Sequence, residues 1–295
     1  MLFFKKKKKQ NIAFFTDRFV DIHSHLLPGI DDGAKNLETS MELIKKMYAL
    51  WIKNFITTPH VLGDVYPNSS DTIKLKLQEV KNELSRQGLD DITITAAAEY
   101  MLDEQFQVLL KNDDILPLKD NFILVEMSYF SAPMNLYDIL FDIQLKGYKP
   151  VLAHPERYNF FHNDFESYYK LKKAGCLFQL NFLSLTTQYG KHVQKISKKL
   201  LDLEMYDFVG TDTHHIKHLE LLETMLTVKN KNKLERVLKN NAQFKNWALF
   251  FLWGLFAENL FIPRFFHIHI TSITIAIAIA ITIAIAIATL RICII

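Results

Sequence analysis

The sequence predicts an α/β fold, a distorted (β/α)7 barrel followed by an atypical apolar C-terminal extension. Strand-like and helix-like segments alternate between residues 18 and 244, with seven expected strands. Side chains able to bind metal ions stand at the end of one expected strand after another. In a barrel those strand ends surround one mouth, whereas the distant strands of a doubly wound open sheet cannot reach a common point. The barrel is therefore favoured over the open sheet.

The strands are expected where short apolar runs end in polar residues. They cover residues 18–22, 55–57, 92–95, 122–127, 148–153, 176–180 and 206–210. Between them, apolar residues recur every three or four positions, which is one face of an amphipathic helix. The helical stripes are Leu37, Met41, Ile44, Tyr48 and Trp51; Ile73, Leu77, Val80 and Leu84; Leu136 to Gly147; a segment ending near Ala174; and Val193, Ile196, Leu200 and Leu203. Thr39 and Glu42 have the spacing of a capping box at the start of the first helix.

Two segments flank the expected barrel. Residues 1–17 form a basic arm with five consecutive lysines, Lys5–Lys9, which is either solvated or weakly attracted to an anionic membrane. Residues 245–295 form an apolar, low-complexity tail, and residues 270–290 repeat Ile-Ala without a charge. That stretch is long enough for a membrane span, suits an aggregation-prone strand, or is a spurious extension of the reading frame.

Composition excludes several classes of function. A net charge of +3 over 295 residues does not indicate a general nucleic-acid binder. The only cysteines, Cys176 and Cys293, cannot build a disulfide framework, so a cytoplasmic protein is expected, with membrane association through Lys5–Lys9 or residues 270–290 as an option. Neither has an Arg six positions later, which excludes the chemistry of cysteine-dependent phosphatases. Cys176 is expected to be a buried strand residue.

The first motif with metal-binding chemistry is His23-Ser24-His25. Alternate side chains of an extended chain point to the same side, so both imidazoles can bind one ion. An isolated pair of this kind is a weak signal, as the same spacing at His267 and His269 in the apolar tail illustrates. The first pair gains weight because acidic residues and other histidines follow it at later strand ends.

Eight side chains form the expected metal-ligand set. Imidazole and carboxylate ligands without thiolate suit manganese, and also iron or zinc, and the number of ligands is enough for two or three ions if some are shared. Glu99 is the best candidate for a bridging carboxylate. The set is His23, His25, Asp32, His60, Glu99, His154, Asp212 and His214.

Arg157 follows His154 by three residues and is the candidate phosphate ligand. Its planar guanidinium can bind two oxygens of a phosphate and stabilise charge that develops during phosphoryl transfer. The alternative is a structural salt bridge to Glu156 or to another carboxylate at the rim. With metal ions on one side of the substrate and Arg157 on the other, the surrounding positive charge favours an anionic substrate group, a phosphate ester.

These motifs, in this order, resemble the polymerase-and-histidinol-phosphatase (PHP) superfamily. The nearer resemblance is to the bacterial manganese-dependent protein-tyrosine phosphatases of the CpsB/CapC/YwqE type. The resemblance covers residues 18–244. It rests on DIHSHLLPGIDDGAK at 21–35, ITTPH at 56–60, AAEYM at 97–101, AHPERY at 153–158 and GTDTHH at 210–215.

The resemblance implies a three-metal site in a distorted seven-stranded barrel. It assigns His23, His25, Glu99 and Asp212 to one ion, Glu99, His60 and His154 to a second, and Asp32, His60 and His214 to the third. The reaction it implies is direct hydrolysis by activated water, without a phosphoenzyme. Arg157, Asp32 and His214 are the expected catalytic residues, with an Asp or His at the rim, or water, protonating the leaving phenolate. The tail is one departure from the family, and Trp51, at a position that often holds a small residue, is another.

The expected function is therefore metal-dependent hydrolysis of phosphotyrosine. By resemblance, the partner is the phosphotyrosine-rich tail of a tyrosine kinase of capsular or exopolysaccharide assembly. Three alternatives stay open from the residues alone. One is a phosphoesterase acting on a small phosphorylated metabolite, and another is a non-catalytic barrel that docks a partner. The third is a membrane-anchored scaffold, which depends on residues 270–290 alone. The residues do not indicate an oligomeric state.

Overall fold

The computed structural model describes residues 14–245. The Lys5–Lys9 arm and the extension from residue 246 onward lie outside the described residues, so the expectations for them stay predictions. Within the described part of the chain, none of the helices has the length and apolar character that a membrane span requires.

Parallel β-strands form the centre of the described part. They are β1 (Asn54–Thr57), β2 (His60–Val61), β3 (Thr93–Ala96), β4 (Glu99–Met101), β5 (Phe122–Glu126), β6 (Lys149–Ala153), β7 (Leu177–Asn181) and β8 (Phe208–Gly210). β1 pairs with β3, and the others form a sheet in the order β2-β4-β5-β6-β7-β8. β2 follows β1 after a short gap, and β4 follows β3 in the same way. β1 and β2 therefore form one interrupted strand, and β3 and β4 form another.

The segment from Asp21 to Ser24 lies between the first and last strands. Asp21 forms a parallel bridge with Phe55 of β1, and Ser24 forms one with Thr213, just past β8. The His25 amide donates to the Thr213 carbonyl at 2.9 Å. The segment thereby links the two ends of the curled sheet, and the expected distorted barrel is confirmed.

The expected first strand at residues 18–22 is wrong in detail, because only isolated bridges form there. Side chains replace part of the backbone ladder in this region. The Ser24 amide donates to Thr58 Oγ1 at 3.2 Å, and the Leu26 amide donates to Thr57 Oγ1 at 3.1 Å. These hydroxyl acceptors satisfy amides that a regular strand would pair with carbonyl groups.

Helices cover the outside of the sheet between successive strands. They are α1 (Leu37–Ala49), α2 (Ser70–Arg86), α3 (Glu104–Lys111), α4 (Leu136–Leu145), α5 (Glu166–Lys173), α6 (Lys191–Asp202), α7 (Ile216–Met225) and α8 (Val228–Asn240). The expected stripes coincide with α1, α2, α4, α5 and α6. α3, α7 and α8 were not expected.

The ends of α1 differ from the expectation. Asn36, and not Thr39, caps the helix, because its side chain accepts a hydrogen bond from the Thr39 amide. Trp51 does not extend the buried face: it lies past the helix end with φ of 71° and is 61% exposed. This is the left-handed position after a helix, which glycine usually fills.

The interior of the barrel follows the two-residue period of its strands. Leu124 and Val151 belong to a small inner core with Ile22, while the alternate residues Ile123 and Leu152 pack outward into the main core. Phe244 closes this inner core in contact with Phe208 and Phe122. The polar site lies at the other end of the barrel, past the strand carboxyl ends.

Two aromatic residues before the barrel are also buried. Phe14 and Phe15 are only 3% and 2% exposed, and both rings contact Phe182. Cys176 is buried as expected and directly precedes β7.

Candidate metal centre

A cavity of about 580 Å³ opens at the carboxyl ends of the strands. Six of the nine site residues expected from the sequence line it, and His23, His25 and Glu99 are fully buried. The other side of the cavity is largely apolar. That side is formed by Leu62, Tyr66, Met101, Leu102, Phe130, Ala132 and Pro133.

At the centre of the site, two imidazoles face two carboxylates. His23 Nε2 lies 3.1 Å from Glu99 Oε2 and 3.3 Å from Asp212 Oδ1. His25 Nε2 lies 3.4 Å from the same Glu99 oxygen and 3.5 Å from the same Asp212 oxygen. The four expected ligands of one ion therefore converge.

Hydrogen bonds at Nδ1 of His23 and His25 determine which ring nitrogen of each histidine faces the centre of the site as an acceptor. His25 Nδ1 donates to Asp31 Oδ2 at 2.8 Å, and His23 Nδ1 donates to Gln179 Oε1 at 2.8 Å. In neutral imidazoles, the Nε2 atoms then carry lone pairs, and they face each other at 3.3 Å. Two lone pairs beside two carboxylates fit a bound cation, and carboxylate or amide partners on the outer nitrogens are typical of metal-binding histidines.

Glu126 joins the expected ligands His60 and Glu99 in a second group. His60 Nδ1 lies 2.9 Å from Glu126 Oε1 and 3.2 Å from Glu99 Oε2. Both His60 Nδ1 and Glu99 Oε2 are buried without a hydrogen bond of acceptable geometry. Such unsatisfied buried atoms are costly unless an ion binds them. His154 Nε2 meets the other Glu99 oxygen at 3.1 Å, and His154 also groups with His23 and Asp212.

The third group lies nearer the opening. Asp32 Oδ1 is 3.5 Å from His60 Nε2 and 3.4 Å from His214 Nε2, and His25 belongs to the same group. The Asp32 side chain is 54% exposed, in contrast to the other carboxylates of the site. Asp32 and His214 are therefore candidate metal ligands that a substrate in the cavity can also reach.

Backbone conformation and close packing position several of these side chains. His154 and Asp212, directly after β6 and two residues after β8, have positive φ values of 35° and 50°. Non-glycine residues in this region are uncommon and cluster at functional sites. A Cβ at Gly210 would lie 2.6 Å from His23 Cβ, and one at Gly33 would lie 2.3 Å from the His25 carbonyl oxygen. Both glycines let the chain approach the paired histidines.

The groups of the site strongly shift one another's pKa. Burial alone would raise the pKa of Glu99, but His23 and His60 hold it well below its ordinary value. Burial opposes protonation of His60, yet Glu99 and Glu126 raise its pKa to about 9. The hydrogen bond from His214 leads the effects that lower the pKa of Asp32 to about 2. Glu99 and Asp32 are therefore ionised at neutral pH, as metal ligands must be.

Arg157 pairs with Asp212 and not with Glu156. Its Nη1 donates to Asp212 Oδ2 at 2.8 Å, and the side chain is 19% exposed toward the cavity. Glu156 is instead fully buried, where it accepts hydrogen bonds from the Asn181 amide at 3.0 Å and the Tyr206 hydroxyl at 2.9 Å. The alternative of a salt bridge to Glu156 is therefore wrong, whereas a salt bridge to another carboxylate of the site is present, at Asp212.

The set of site residues expected from the sequence leaves out four polar contributors and two aromatic ones. Glu126 has a detectable signal, because Phe122, Leu124 and Glu126 alternate along β5 and the first two face the inner core. Asp31 contacts His25, six residues away, across a loop. The others depend on contacts between distant segments, and they are Gln179, Asn181, Tyr129 and Tyr189.

Comparisons with known proteins agree with this geometry. A family model described as capsular polysaccharide synthesis, CpsB/CapC, matches residues 19–243. The chain is 30% identical over 229 residues to CapC of Staphylococcus aureus, covering 75% of this chain and 89% of CapC. It is 28% identical over 238 residues to tyrosine-protein phosphatase YwqE of Bacillus subtilis, covering 78% of this chain and 93% of YwqE.

A solved structure also matches. It comes from the crystal structures of YwqE from Bacillus subtilis and CpsB from Streptococcus pneumoniae, described as unique metal-dependent tyrosine phosphatases. The TM-score is 0.66 at 26% identity, and the match covers 77% of this chain and 95% of the solved one. The resemblance indicated by the motifs is confirmed.

Proposed function

The chain belongs to the CpsB/CapC family, and from this membership we propose that it is a metal-dependent protein-tyrosine phosphatase of capsular or exopolysaccharide synthesis. It is a hydrolase that releases phosphate from phosphotyrosine. The observation that carries the proposal is the convergence of imidazole nitrogens and carboxylates beside Arg157 at the base of an open cavity.

We assign the metal ligands from these groups. His23, His25, Glu99 and Asp212 would hold one ion, and His60, Glu99 and Glu126 would hold a second, with His154 close to both groups. Asp32, His60 and His214 would hold the third. Manganese is the proposed ion, because hard carboxylates and imidazoles without thiolate suit it.

Bound metal ions would supply water of lowered pKa and neutralise the phosphoryl oxygens. The residues of the chain would then orient the substrate. Arg157 would bind the phosphoryl oxygens through the N–H groups that do not pair with Asp212. In that position it would stabilise the charge that develops on these oxygens during phosphoryl transfer. Asp32 and His214 border the cavity and would orient the water that protonates the leaving phenolate, because as ligands of the third ion they have no proton of their own to donate.

The cavity also suits the rest of a phosphotyrosine. Its apolar side can contact an aromatic ring, and Phe130 at the rim is 94% exposed. An open rim with an exposed aromatic side chain favours a peptide over a small metabolite that needs an enclosing pocket. The proposed partner is the tyrosine-phosphorylated tail of a polysaccharide-assembly kinase. The proposed setting is the cytoplasm, with membrane association through Lys5–Lys9 or residues 270–290 as a further expectation.

The test is phosphate release from tyrosine-phosphorylated peptides by the full chain supplied with Mn²⁺. We expect activity that a chelator abolishes and Mn²⁺ restores, and that His23→Ala and Arg157→Ala strongly reduce. His192→Ala, on the exposed face of α6, is the matched control and is expected to act as the parent. Activity that survives the chelator or both site substitutions would contradict the metal mechanism. A preference for small phosphate esters over peptides would favour the metabolite alternative.

A further inference from the structure

Two tyrosine rings contact the guanidinium of Arg157. The centroid of the Tyr129 ring lies 4.7 Å from Arg157 Cζ, and the centroid of the Tyr189 ring lies 4.2 Å from it. Both distances are within the range of favourable cation–π contacts. Neither tyrosine belongs to the motifs from which the phosphatase site was predicted.

The two tyrosines reach Arg157 from neighbouring strands on either side. Tyr129 follows β5, Arg157 follows β6, and Tyr189 lies between β7 and α6. β6 lies between β5 and β7 in the sheet, so the two rings come from the segments that follow the two strands next to β6. The arrangement is thus built by the sheet order and does not depend on one flexible loop.

Further contacts hold both tyrosines in place. The Tyr129 ring is 5.8 Å from the His154 ring and 6.1 Å from the Tyr158 ring. The Tyr189 hydroxyl accepts a 3.3 Å hydrogen bond from Asn181 Nδ2, which also donates to Asp212 Oδ2 at 2.6 Å. Asp212 Oδ2 therefore accepts hydrogen bonds from both Asn181 and Arg157.

This arrangement restricts a side chain that is otherwise flexible. Aromatic contacts occupy the face of a guanidinium, whereas its N–H donors point outward in the plane. Within residues 14–245, this guanidinium donates one hydrogen bond, from Nη1 to Asp212, so other N–H donors remain for a ligand. The side chain borders the cavity that also contains His60 and His214.

We propose that Tyr129 and Tyr189 are positioning residues, which hold the Arg157 guanidinium so that its free N–H edge faces the substrate phosphate. The inference rests on the proposed function, because it assumes that Arg157 binds the phosphate. The required feature is the aromatic ring, since the ring makes the contact with Arg157. The hydroxyl groups are not required for this contact.

The experiment measures kcat and KM for a phosphotyrosine peptide, and inhibition by inorganic phosphate, in the full chain supplied with Mn²⁺. We expect Tyr129→Leu and Tyr189→Leu each to lower kcat/KM and to weaken phosphate inhibition by about tenfold. Tyr129→Phe and Tyr189→Phe keep the ring, so their kcat/KM and phosphate inhibition are expected to stay within about twofold of the parent. Tyr169→Leu, an exposed tyrosine on α5, is the matched control for loss of a surface ring.

A double-mutant cycle separates positioning from a general structural effect. In the Arg157→Ala background, the leucine substitutions are expected to cause no further loss, because there is no guanidinium left to position. An equal loss in both backgrounds would overturn the inference, as would leucine variants with parental kinetics. If Tyr129→Leu does not fold, Tyr189→Leu and both phenylalanine variants still decide the question.

The outcomes also distinguish this inference from the proposed function. If Arg157→Ala lowers activity but both leucine variants do not, only the positioning role is wrong. If Arg157→Ala keeps full activity, the assignment of the phosphate ligand is wrong, and the inference is overturned with it. Metal content and thermal unfolding of each variant establish that the comparison involves folded, metal-loaded protein.

Discussion

Glu126 Oε1 lies 2.9 Å from His60 Nδ1 at the base of the cavity, although the two residues belong to β5 and β2. The same His60 nitrogen lies 3.2 Å from Glu99 Oε2. Two carboxylates thus face one imidazole nitrogen in a region that is almost closed to solvent. Such a concentration of buried charge is favourable only when a cation or proton balances it.

Glu126→Gln is expected to weaken one metal site, because an amide keeps the size of the side chain but removes the negative charge. We expect loss of close to one bound ion per chain and a fall in kcat/KM on the order of 100-fold. Metal analysis after dialysis and steady-state kinetics measure both effects. Glu104→Gln, at the exposed start of α3, is the control, and unchanged metal content in Glu126→Gln would contradict the assignment.

Asp31→Asn is expected to lower metal affinity about 10- to 100-fold through His25. The Asp31 carboxylate accepts from His25 Nδ1 at 2.8 Å and also accepts from the His60 amide at 3.2 Å. An asparagine amide turned toward His25 would offer a donor where an acceptor is needed. Titration of the apo protein with Mn²⁺ measures the change, with the exposed Asp64→Asn as control. Equal affinities for the two variants would show that Asp31 does not orient the ligand.

Gly210→Ala is expected to destabilise the fold by about 1–3 kcal/mol and to weaken metal binding. The added Cβ would lie 2.6 Å from His23 Cβ and 2.9 Å from Gln179 Nε2, so the first histidine must move. Urea unfolding and metal titration measure the two effects. Gly88→Ala is a useful comparison, because its Cβ meets no atom within 4 Å and only its φ of 67° is unfavourable. That variant should lose some stability but no metal affinity, and the same loss of affinity in both would refute the packing explanation.

Cys176 is expected to be unreactive toward thiol reagents in the folded protein. Burial raises its pKa to about 12, so almost no thiolate exists at pH 8, and the side chain is inaccessible. The measurement uses a Cys293→Ser variant, in which Cys176 is the remaining thiol. Reaction with a colorimetric disulfide reagent should occur only after urea unfolding. Rapid reaction of the folded variant would mean that the strand start is open to solvent.

The sequence by itself determined the family, the barrel and most residues of the candidate site. His23 and His25 are two residues apart on extended chain, so local geometry alone directs both toward one ion. The other expected ligands stand after successive strands, and parallel strands in a barrel bring their carboxyl ends together whatever the details of the loops. Those inferences depend on local periodicity and chain order, which a single sequence contains.

Only the tertiary structure decided how the site is completed. Glu126 faces His60 because β5 and β2 are both neighbours of β4, and Asp31 turns back to His25 through a loop. Tyr129 and Tyr189 reach Arg157 because β5 and β7 flank β6. Apart from the contact of Asp31 with His25, six residues away, these contacts join segments far apart in sequence, and their distances follow from the closure and twist of the sheet. Local patterns specify which way a side chain points, whereas the packed fold specifies which partner it meets.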